Sequence, residues 1–192
     1  MILPLLLAAC GGSGDEEKVT DFCDQLQTQT VACEAEIVSR IGGESETFTL
    51  ACAESEQGCE IAVHEPEMLS GVTALVGADA SLSFDGLEIP VPAEGPSPLT
   101  AVPILLDALR RGHLDLVWRE GETLTAQLVA SDDLAVRVYF SPDGTPAAAS
   151  LIDRGAETIT LTITQWIQSD KENPYEPDNS NLGGDQSQHP GA

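Results

Sequence analysis

The chain has 192 residues, with 32 Asp and Glu against 8 Lys and Arg, and a formal net charge of −24 at pH 7. Phosphate binding needs clustered basic residues, so this charge argues against a nucleic-acid partner and against adhesion to anionic lipid headgroups. Hydrophobic residues make up 42% of the chain, which is typical of a globular protein rather than a disordered one.

The N-terminus predicts a lipoprotein signal. An apolar run, 1–9, ends in small residues directly before Cys10, and a segment of Gly, Ser and acidic residues follows. Small residues suit cleavage by a signal peptidase, and a thiol at that point suits attachment of a lipid. We therefore expect Cys10 to be the acylated, palmitate-carrying N-terminus of a protein anchored on the extracytoplasmic face of the cell membrane. The alternative is a buried N-terminal strand or helix that ends in Cys.

The predicted signal lacks one usual feature. Residues 1–9 contain no Lys or Arg, although a secretory signal begins with a positive segment, and we expect the true start codon to lie upstream. The run is also too short to span a bilayer, which needs about 20 apolar residues.

Composition divides the chain into four segments. They are a signal peptide at 1–9, the lipidated Cys10 with a flexible tether to residue 18, one domain at 19–168, and a disordered acidic tail at 169–192. Within the domain, Val19, Phe22, Cys23 and Leu26 have helical spacing and predict one amphipathic helix.

Strands follow this helix. The alternation around Val31 and Ile37 predicts the first, and two further strands flank a turn-rich segment at 54–58. Asp85-Gly86 is a strong two-residue hairpin signal between the runs at Leu82 and Leu87. The prolines at 90 and 92 limit the second of these runs to an edge strand or a short strand.

Disulfides persist in exported proteins, so the four remaining cysteines are expected to form two of them. Four cysteines allow three different pairings. Loop entropy does not choose between the two short loops, because closing Cys52 to Cys59 contributes about 2.5 kcal/mol and closing Cys23 to Cys33 only slightly more. Cys52 and Cys59 are expected to face each other across the hairpin, which leaves Cys23 to pair with Cys33. Zinc is the competing interpretation, but the C-x-x-C spacing of a zinc knuckle is absent, and no metal site is expected.

A second helix follows Ser97-Pro98. Val102, Leu105 and Leu109 form its apolar stripe, and Gly112 can terminate it. The basic cluster of Arg110, Arg111 and His113 is explained either by the negative end of the helix dipole or by anion binding.

Alternating strands fill the rest of the domain, centred on Leu116, Ala126, Val136 and Leu161. One apolar and one polar face are typical of antiparallel sheet, and short loops favour a meander. The predicted fold is therefore mainly β: a curved antiparallel half-barrel of about 9–11 strands, with two or three helices covering its concave face. The apolar residues of that face are the candidate lining of a hydrophobic cavity: Phe48, Leu50, Phe84, Leu105, Leu109, Trp118, Leu128, Val138, Phe140 and Leu161.

The order of these elements resembles the LolA-like lipoprotein-binding superfamily. The features that carry the resemblance are the short helix and long first strand, the run Pro66-Glu67-Met68-Leu69-Ser70-Gly71-Val72, the run Leu82-Ser83-Phe84-Asp85-Gly86-Leu87, and the helix after Ser97-Pro98. It covers about residues 19–168 and is strongest for lipid-anchored clostridial members of the type of the germination lipoprotein GerS.

This resemblance implies two different functions. LolA and LolB carry acylated lipoproteins between the half-barrel and its lid helices, whereas the GerS type is implied to support a cell-wall amidase during spore germination through a protein partner. The present chain differs from LolA in its four extra cysteines and its predicted anchor, which argue against a shuttling role.

Catalytic motifs are absent from the sequence. His64-Glu65 is the one adjacent acid–base pair, Pro66 follows it, and neither nucleophile nor phosphate-binding signatures occur. We therefore expect a non-enzymatic protein without a cofactor. The first hypothesis is a membrane-anchored protein that binds an acyl chain, lipid or lipoprotein in its half-barrel. The second is a regulator that docks a cell-envelope protein and has a filled interior.

Overall fold

A computed structural model describes residues 13–77, 80–90 and 95–171. The signal peptide, Cys10, the strand continuation at Val91 and the tail from residue 172 lie outside these ranges. The helices are α1 (Ser13–Leu26) and α2 (Ala101–Arg111), with a 3-10 turn at Glu67–Leu69. The strands are β1 (Gln29–Ser39), β2 (Glu46–Ser55), β3 (Gly58–Glu65), β4 (Thr73–Val76), β5 (Ser81–Phe84), β6 (Leu87–Pro90), β7 (His113–Glu120), β8 (Thr123–Val129), β9 (Leu134–Phe140), β10 (Pro146–Asp153) and β11 (Ala156–Asp170).

All eleven strands form one antiparallel sheet in the order β6-β5-β4-β3-β2-β1-β11-β10-β9-β8-β7. The first and last strands pair at its centre, and each half is a meander. Both helices belong to the face that carries the hydrophobic core, called here the inner face. The expected mainly β fold with a curved antiparallel sheet of about 9–11 strands is confirmed. Of the two or three helices expected, the described residues contain two α-helices.

Helix α1 buries the predicted stripe, with Val19 and Leu26 at 1% and 0% exposure. It begins at Ser13, so the flexible tether expected up to residue 18 is wrong for Ser13 to Lys18. The reason is electrostatic: Asp15 and Glu16 occupy the first turn, where the helix dipole favours negative charge. The domain also runs two residues further than the boundary expected at 168, because β11 continues to Asp170.

Helix α2 follows the predicted helix closely. Thr100 is its N-cap, Pro103 lies in the first turn, and the Gly112 N–H donates to the Ala108 carbonyl at 2.8 Å. Six residues form its buried face: Ala101, Val102, Leu105, Leu106, Ala108 and Leu109. The Asp85-Gly86 turn is confirmed as well, with φ of 50° and 79°, as a two-residue type I′ hairpin requires.

Two strands were not predicted from the sequence. β4 has only four residues, and β10 contains the run Ala147-Ala148-Ala149, a residue type depleted in strands. Each lies between two partners in the sheet, β4 between β3 and β5, and β10 between β9 and β11. Hydrogen bonds to neighbouring strands on both sides therefore stabilise β4 and β10 as strands, although their own residues have a weak preference for strand structure.

Strand β7 changes face at a bulge. Leu114 pairs with Leu128, but the next pairs are Leu116 with Gln127 and Val117 with Ala126. Beyond Asp115 the alternation is therefore shifted by one residue, as a β-bulge does. The inward direction expected for Leu116 is wrong, and this side chain is 56% exposed.

Candidate functional site

The concave inner face is packed rather than hollow where α2 covers it. Seven of the ten candidate cavity residues have exposures between 0% and 3% and belong to one core cluster: Leu50, Leu105, Leu109, Leu128, Val138, Phe140 and Leu161. The apolar stripe of α2 inserts Leu105, Leu106 and Leu109 into this core. Helix α2, which was expected to cover an open cavity on the concave face, therefore fills that face where it packs.

The other three candidates have different surroundings. Phe48 is half-buried against the core, whereas Phe84, at the peripheral hairpin, is 53% exposed. Trp118 lies on the outer face after the β7 bulge, where it pairs with Thr125 and stacks under the Arg137 guanidinium at 5.6 Å. Trp118 therefore does not line an inner cavity, and its expected place there is wrong.

Arg110 joins α2 to three other elements. Its guanidinium binds the Glu54 carboxylate through both terminal nitrogens, one of them at 2.7 Å, and donates to the carbonyl oxygens of Leu26 at 3.0 Å and Gln29 at 2.9 Å. The remaining Glu54 oxygen lone pairs accept the Val31 N–H at 2.8 Å. The carboxylate raises the pKa of Arg110. Arg110, Arg111 and His113 therefore do not act as one basic cluster, because Arg110 is partly buried and its guanidinium is bound to Glu54.

A second ion pair fastens the start of α1. Arg119 on β7 donates from Nε and a terminal nitrogen to the two Asp15 oxygens at 2.7 and 2.8 Å. Bidentate geometry of this kind is the stronger form of a surface pair. The guanidinium hydrogen bond holds the pKa of Asp15 below its usual value. Helix α1 is therefore held at both ends, at its start by Arg119 of β7 and at its end by Arg110 of α2.

A pocket of about 420 Å³ lies beside α1, where α2 does not reach. Val19, Phe22, Leu124 and Phe140 give it an apolar floor, and Lys18, Asp21, Gln25, Arg119, Glu122 and the turn at 141–144 form its rim. In that turn the Asp143 carboxylate accepts from Ser141 and Thr145, and these bonds lower its pKa to about 2.

A larger groove of about 650 Å³ crosses the outer face of the sheet. Its lining comes from seven adjacent strands, β6 to β1 and β11. Small side chains form the floor, chiefly Ala32, Ala51, Ala53 and Ala62. The sequence pattern did not point to these alanines, although a row of small residues on a strand face permits close approach of a partner.

The groove is acidic at its edges. Glu34, Glu60 and Glu88 line it with exposed side chains, and no Lys or Arg belongs to its lining within the described residues. Leu75 and Ile167 add apolar surface, and Ile167 is 46% exposed. The groove therefore presents a small-residue floor between carboxylates.

Three thiols share the opposite, inner side of the same strands. Cys33 pairs directly with Cys52 across β1 and β2. Cys59 pairs with Glu54 and not with Cys52, whose own partner on β3 is Ile61. The expectation that Cys52 and Cys59 face each other is therefore wrong by two positions of register; they are diagonal neighbours. All three are buried, at 4%, 3% and 7% exposure, and unpaired in this structure.

The thiols differ in acidity. Interaction with the Cys52 thiol, helped by the nearby Arg110 cation, lowers the pKa of Cys59 against the effects of burial and of Glu54. Both neighbouring thiols, together with burial, raise the pKa of Cys52. Cys23 on α1 is also a free thiol, and burial with the nearby Asp24 raises its pKa to about 11. The expected Cys23–Cys33 bond is not formed.

The residues considered for catalysis are surface residues. His64 and Glu65 are exposed at the end of β3, where Glu65 accepts from the Thr49 hydroxyl at 3.3 Å. Arg111 pairs with Asp107 at 3.1 Å along α2.

Among the described residues, no group of three or more His, Cys, Asp or Glu is arranged to hold a metal ion. None of the described helices is long and apolar enough to cross a membrane.

Several solved structures are similar to this chain. A LolA superfamily protein from Nitrosomonas europaea has 10% sequence identity and a TM-score of 0.44, over 81% of this chain and 94% of the other. An uncharacterised conserved protein from Thermus thermophilus has 11% identity and a TM-score of 0.47, over 82% and 89%. A chain of the Pseudomonas aeruginosa MucA/MucB complex has 10% identity and a TM-score of 0.35, over 84% of this chain and 59% of the other.

No protein-family model matches the chain, and no curated protein matches it in sequence. With identities of 10–11% and TM-scores below 0.5, the structural similarities do not place the chain in a family. The LolA-like and GerS-like resemblances stay predictions.

Proposed function

We propose that this protein is a non-enzymatic, lipid-anchored extracytoplasmic module that docks a partner protein in the outer-face groove. The observation that carries the proposal is the filled inner face: Leu105, Leu106 and Leu109 of α2 occupy the space in which a half-barrel carrier would hold an acyl chain. A packed interior leaves the surface of the domain as its means of recognition.

Charge selects the kind of partner. The carboxylates of Glu34, Glu60 and Glu88 line the groove, and the whole chain carries a net charge of −24. A fatty acid or an anionic headgroup is repelled by these charges, whereas Lys or Arg side chains are attracted. The proposed occupant is a segment of a cell-envelope protein with small or apolar residues against the alanine floor and basic residues against the rim.

The predicted anchor suits this function. Acylation of Cys10 would hold the domain at the membrane surface, where a fixed protein can bind and regulate a neighbour but cannot carry cargo between membranes. Support of a cell-wall amidase, as implied by the resemblance to the GerS type, is one form that such docking can take.

Site-specific cross-linking tests the groove. In the full chain, expressed in the native host, a photoreactive benzophenone amino acid replaces Ala53 on the groove floor. The matched control carries the same amino acid at Ala156, an exposed alanine of β11. We expect one discrete cross-linked product from position 53 and none from position 156. Equal products at both positions, or none at position 53, would overturn the proposal.

Charge reversal makes the test specific. Glu34→Lys with Glu60→Lys should reduce the cross-link from position 53 at least several-fold, because repulsion then replaces attraction at the rim. Glu44→Lys with Glu46→Lys makes the same change in net charge at exposed residues outside the groove lining and should leave it intact. A cross-link that responds equally to both pairs would reflect net charge and not the groove.

The pocket beside α1 supports a second candidate function, binding of a hydrophobic ligand. Its volume of about 420 Å³ lies within the range of ligand pockets, and Phe140 of the predicted cavity is part of its floor. This candidate keeps the acyl-chain hypothesis but moves the site from the centre of the half-barrel to the α1 end.

A fluorescent fatty acid distinguishes the two functions. If the pocket is a binding site, Leu124→Trp should abolish saturable binding by filling it, whereas Thr123→Trp, at an exposed neighbouring position, should not. Absence of saturable binding to the delipidated wild-type chain would reject the ligand function and leave the docking proposal unaffected.

A further inference from the structure

Three buried thiols on neighbouring strands are an unusual feature for a protein with the proposed extracytoplasmic location. Cys52 is the shared neighbour, directly opposite Cys33 and diagonal to Cys59. An odd number of thiols cannot be consumed by disulfides within the cluster, so one bond always leaves a third thiol beside it. Such a thiol can attack the bond, which is the requirement for thiol–disulfide exchange.

The sheet register distinguishes the two bonds that Cys52 can form. Directly opposite residues of an antiparallel pair have Cα atoms about 4.5–5.5 Å apart, within the 4.4–6.8 Å range that a disulfide needs. Diagonal residues are about 7–8 Å apart, so a disulfide between them requires the strands to move closer together. A Cys33–Cys52 bond therefore fits the sheet as it stands, whereas a Cys52–Cys59 bond is strained and more easily attacked.

Cys59 is placed to meet an incoming disulfide. All three thiols are buried, but Cys59 at 7% exposure is slightly less so than Cys33 at 4% and Cys52 at 3%. It follows the tight turn at the start of β3, and its hydrogen bond with Cys52 favours its thiolate, although the Glu54 carboxylate outweighs the smaller opposite effect of Arg110. A thiolate is the attacking species in thiol–disulfide exchange, and a thiol that ionises readily is also the better leaving group.

We propose that Cys33, Cys52 and Cys59 form a thiol–disulfide exchange site that accepts an external disulfide at Cys59 and comes to rest as a Cys33–Cys52 bond. First, the Cys59 thiolate attacks a disulfide RSSR, forming Cys59–S–S–R and releasing RS⁻. Second, the Cys52 sulfur attacks Cys59, and its proton goes to the departing RS⁻. Third, the Cys33 sulfur attacks Cys52 and releases Cys59 as the thiolate, while the Cys33 proton passes to the RS⁻ released in the first step. In sum two thiols are oxidised, one RSSR is reduced to two RSH, and Cys59 is regenerated.

The resting bond would link β1 to β2. These strands also provide Ala32 and Ala53 to the groove floor on their other face. The redox site is nevertheless independent of the docking proposal, since its chemistry needs neither the partner nor the anchor.

Peptide mapping reads out the pairing directly. The reduced full chain is treated with oxidised glutathione at pH 8, quenched in acid, alkylated and digested with trypsin without reduction. Cleavage after Lys18, Arg40 and Arg110 places Cys23 and Cys33 in peptide 19–40 and Cys52 and Cys59 in peptide 41–110. We expect these two peptides to be joined through Cys33 and Cys52, with Cys23 and Cys59 alkylated.

Each competing result has its own signature. The pairing of Cys23 with Cys33 and Cys52 with Cys59 closes loops within single peptides and joins none, and this outcome would overturn the proposal. Alkylation of all four thiols after oxidation would overturn it too, because the site would then be inert.

Single substitutions test the sequence of steps. Cys23→Ser should leave the joined peptides unchanged. Cys33→Ser should trap the Cys52–Cys59 bond inside peptide 41–110, and Cys59→Ser should slow formation of the Cys33–Cys52 bond by about tenfold or more, since the most reactive thiolate is lost. An unchanged rate in Cys59→Ser would show that the oxidant does not enter at Cys59 and would contradict the proposed order.

Discussion

Arg110 and Glu54 form a partly buried ion pair that joins the last turn of α2 to the end of β2. Their side chains are only 15% and 12% exposed. The same guanidinium reaches the Leu26 and Gln29 carbonyls, and the same carboxylate accepts the Val31 N–H. Nearly every hydrogen-bonding position of the pair is therefore used, and it holds both helices and two central strands together.

Loss of one partner should be strongly destabilising. Arg110→Met leaves the partly buried Glu54 carboxylate without its cation. Breaking a fully buried pair costs about 3–5 kcal/mol, and the partial exposure of this pair reduces the expected cost to about 2–3 kcal/mol. Urea unfolding followed by circular dichroism should show a decrease in the free energy of unfolding in this range.

The neighbouring arginine provides the control. Arg111 is 81% exposed and pairs with an exposed Asp107, so Arg111→Met should change the free energy of unfolding by less than about 1 kcal/mol. Equal effects of the two substitutions would mean that the Arg110 pair is no stronger than a surface pair. The double variant Arg110→Met, Glu54→Leu should recover part of the lost stability.

The filled inner face leads to a second prediction. Leu109→Ala removes a side chain that is 1% exposed in the core beneath α2, and large-to-small changes of this kind cost about 2–5 kcal/mol. Leu87→Ala at an exposed position, 67% accessible, should cost less than about 0.5 kcal/mol. If Leu109→Ala also proves neutral in urea unfolding, the helix is a loose lid and the acyl-chain function is favoured.

Patterns of local sequence predicted both helices and nine of the eleven strands. Period-two alternation and the Asp85-Gly86 turn are short-range signals, and they determine which residues face inward as long as no bulge intervenes. The bulge near Asp115 leaves no such signal. Leu114, Leu116 and Trp118 alternate without interruption in the sequence, and only pairing with β8 reveals the shift of register.

Contacts between residues distant in sequence leave no local signal. Arg110 at a helix end has a sufficient local explanation in the helix dipole, and Glu54 lies at the edge of a turn-rich segment. Their contact spans 56 positions and depends on how α2 crosses the sheet. The outer groove is similar, since the alanines of β1, β2 and β3 form a floor only when those strands are adjacent.

The predicted lipid anchor can be tested separately from the fold. If Cys10 is acylated, the chain should fractionate with membranes and its N-terminal peptide should carry the mass of a lipid. Cys10→Ser should move it to the soluble extracytoplasmic or unprocessed fraction. Cys23→Ser is the matched control and should stay with the membrane. A wild-type chain found soluble with a free Cys10 thiol would contradict the prediction.

The Asp15–Arg119 pair should make the start of α1 sensitive to acid. Because the pKa of Asp15 is lowered in the folded protein, its contribution is complete above the pKa of the unfolded chain, about 3.9. It is lost as the pH falls through the lower pKa of the folded state. Native-state hydrogen exchange should therefore show faster opening of the first turns of α1 in Asp15→Asn than in wild type at pH 6, with the difference disappearing at strongly acidic pH. Glu17→Gln, at an exposed position of the same helix, should exchange like wild type throughout. If Asp15→Asn also exchanges like wild type, the ion pair with Arg119 does not stabilise the first turns of α1.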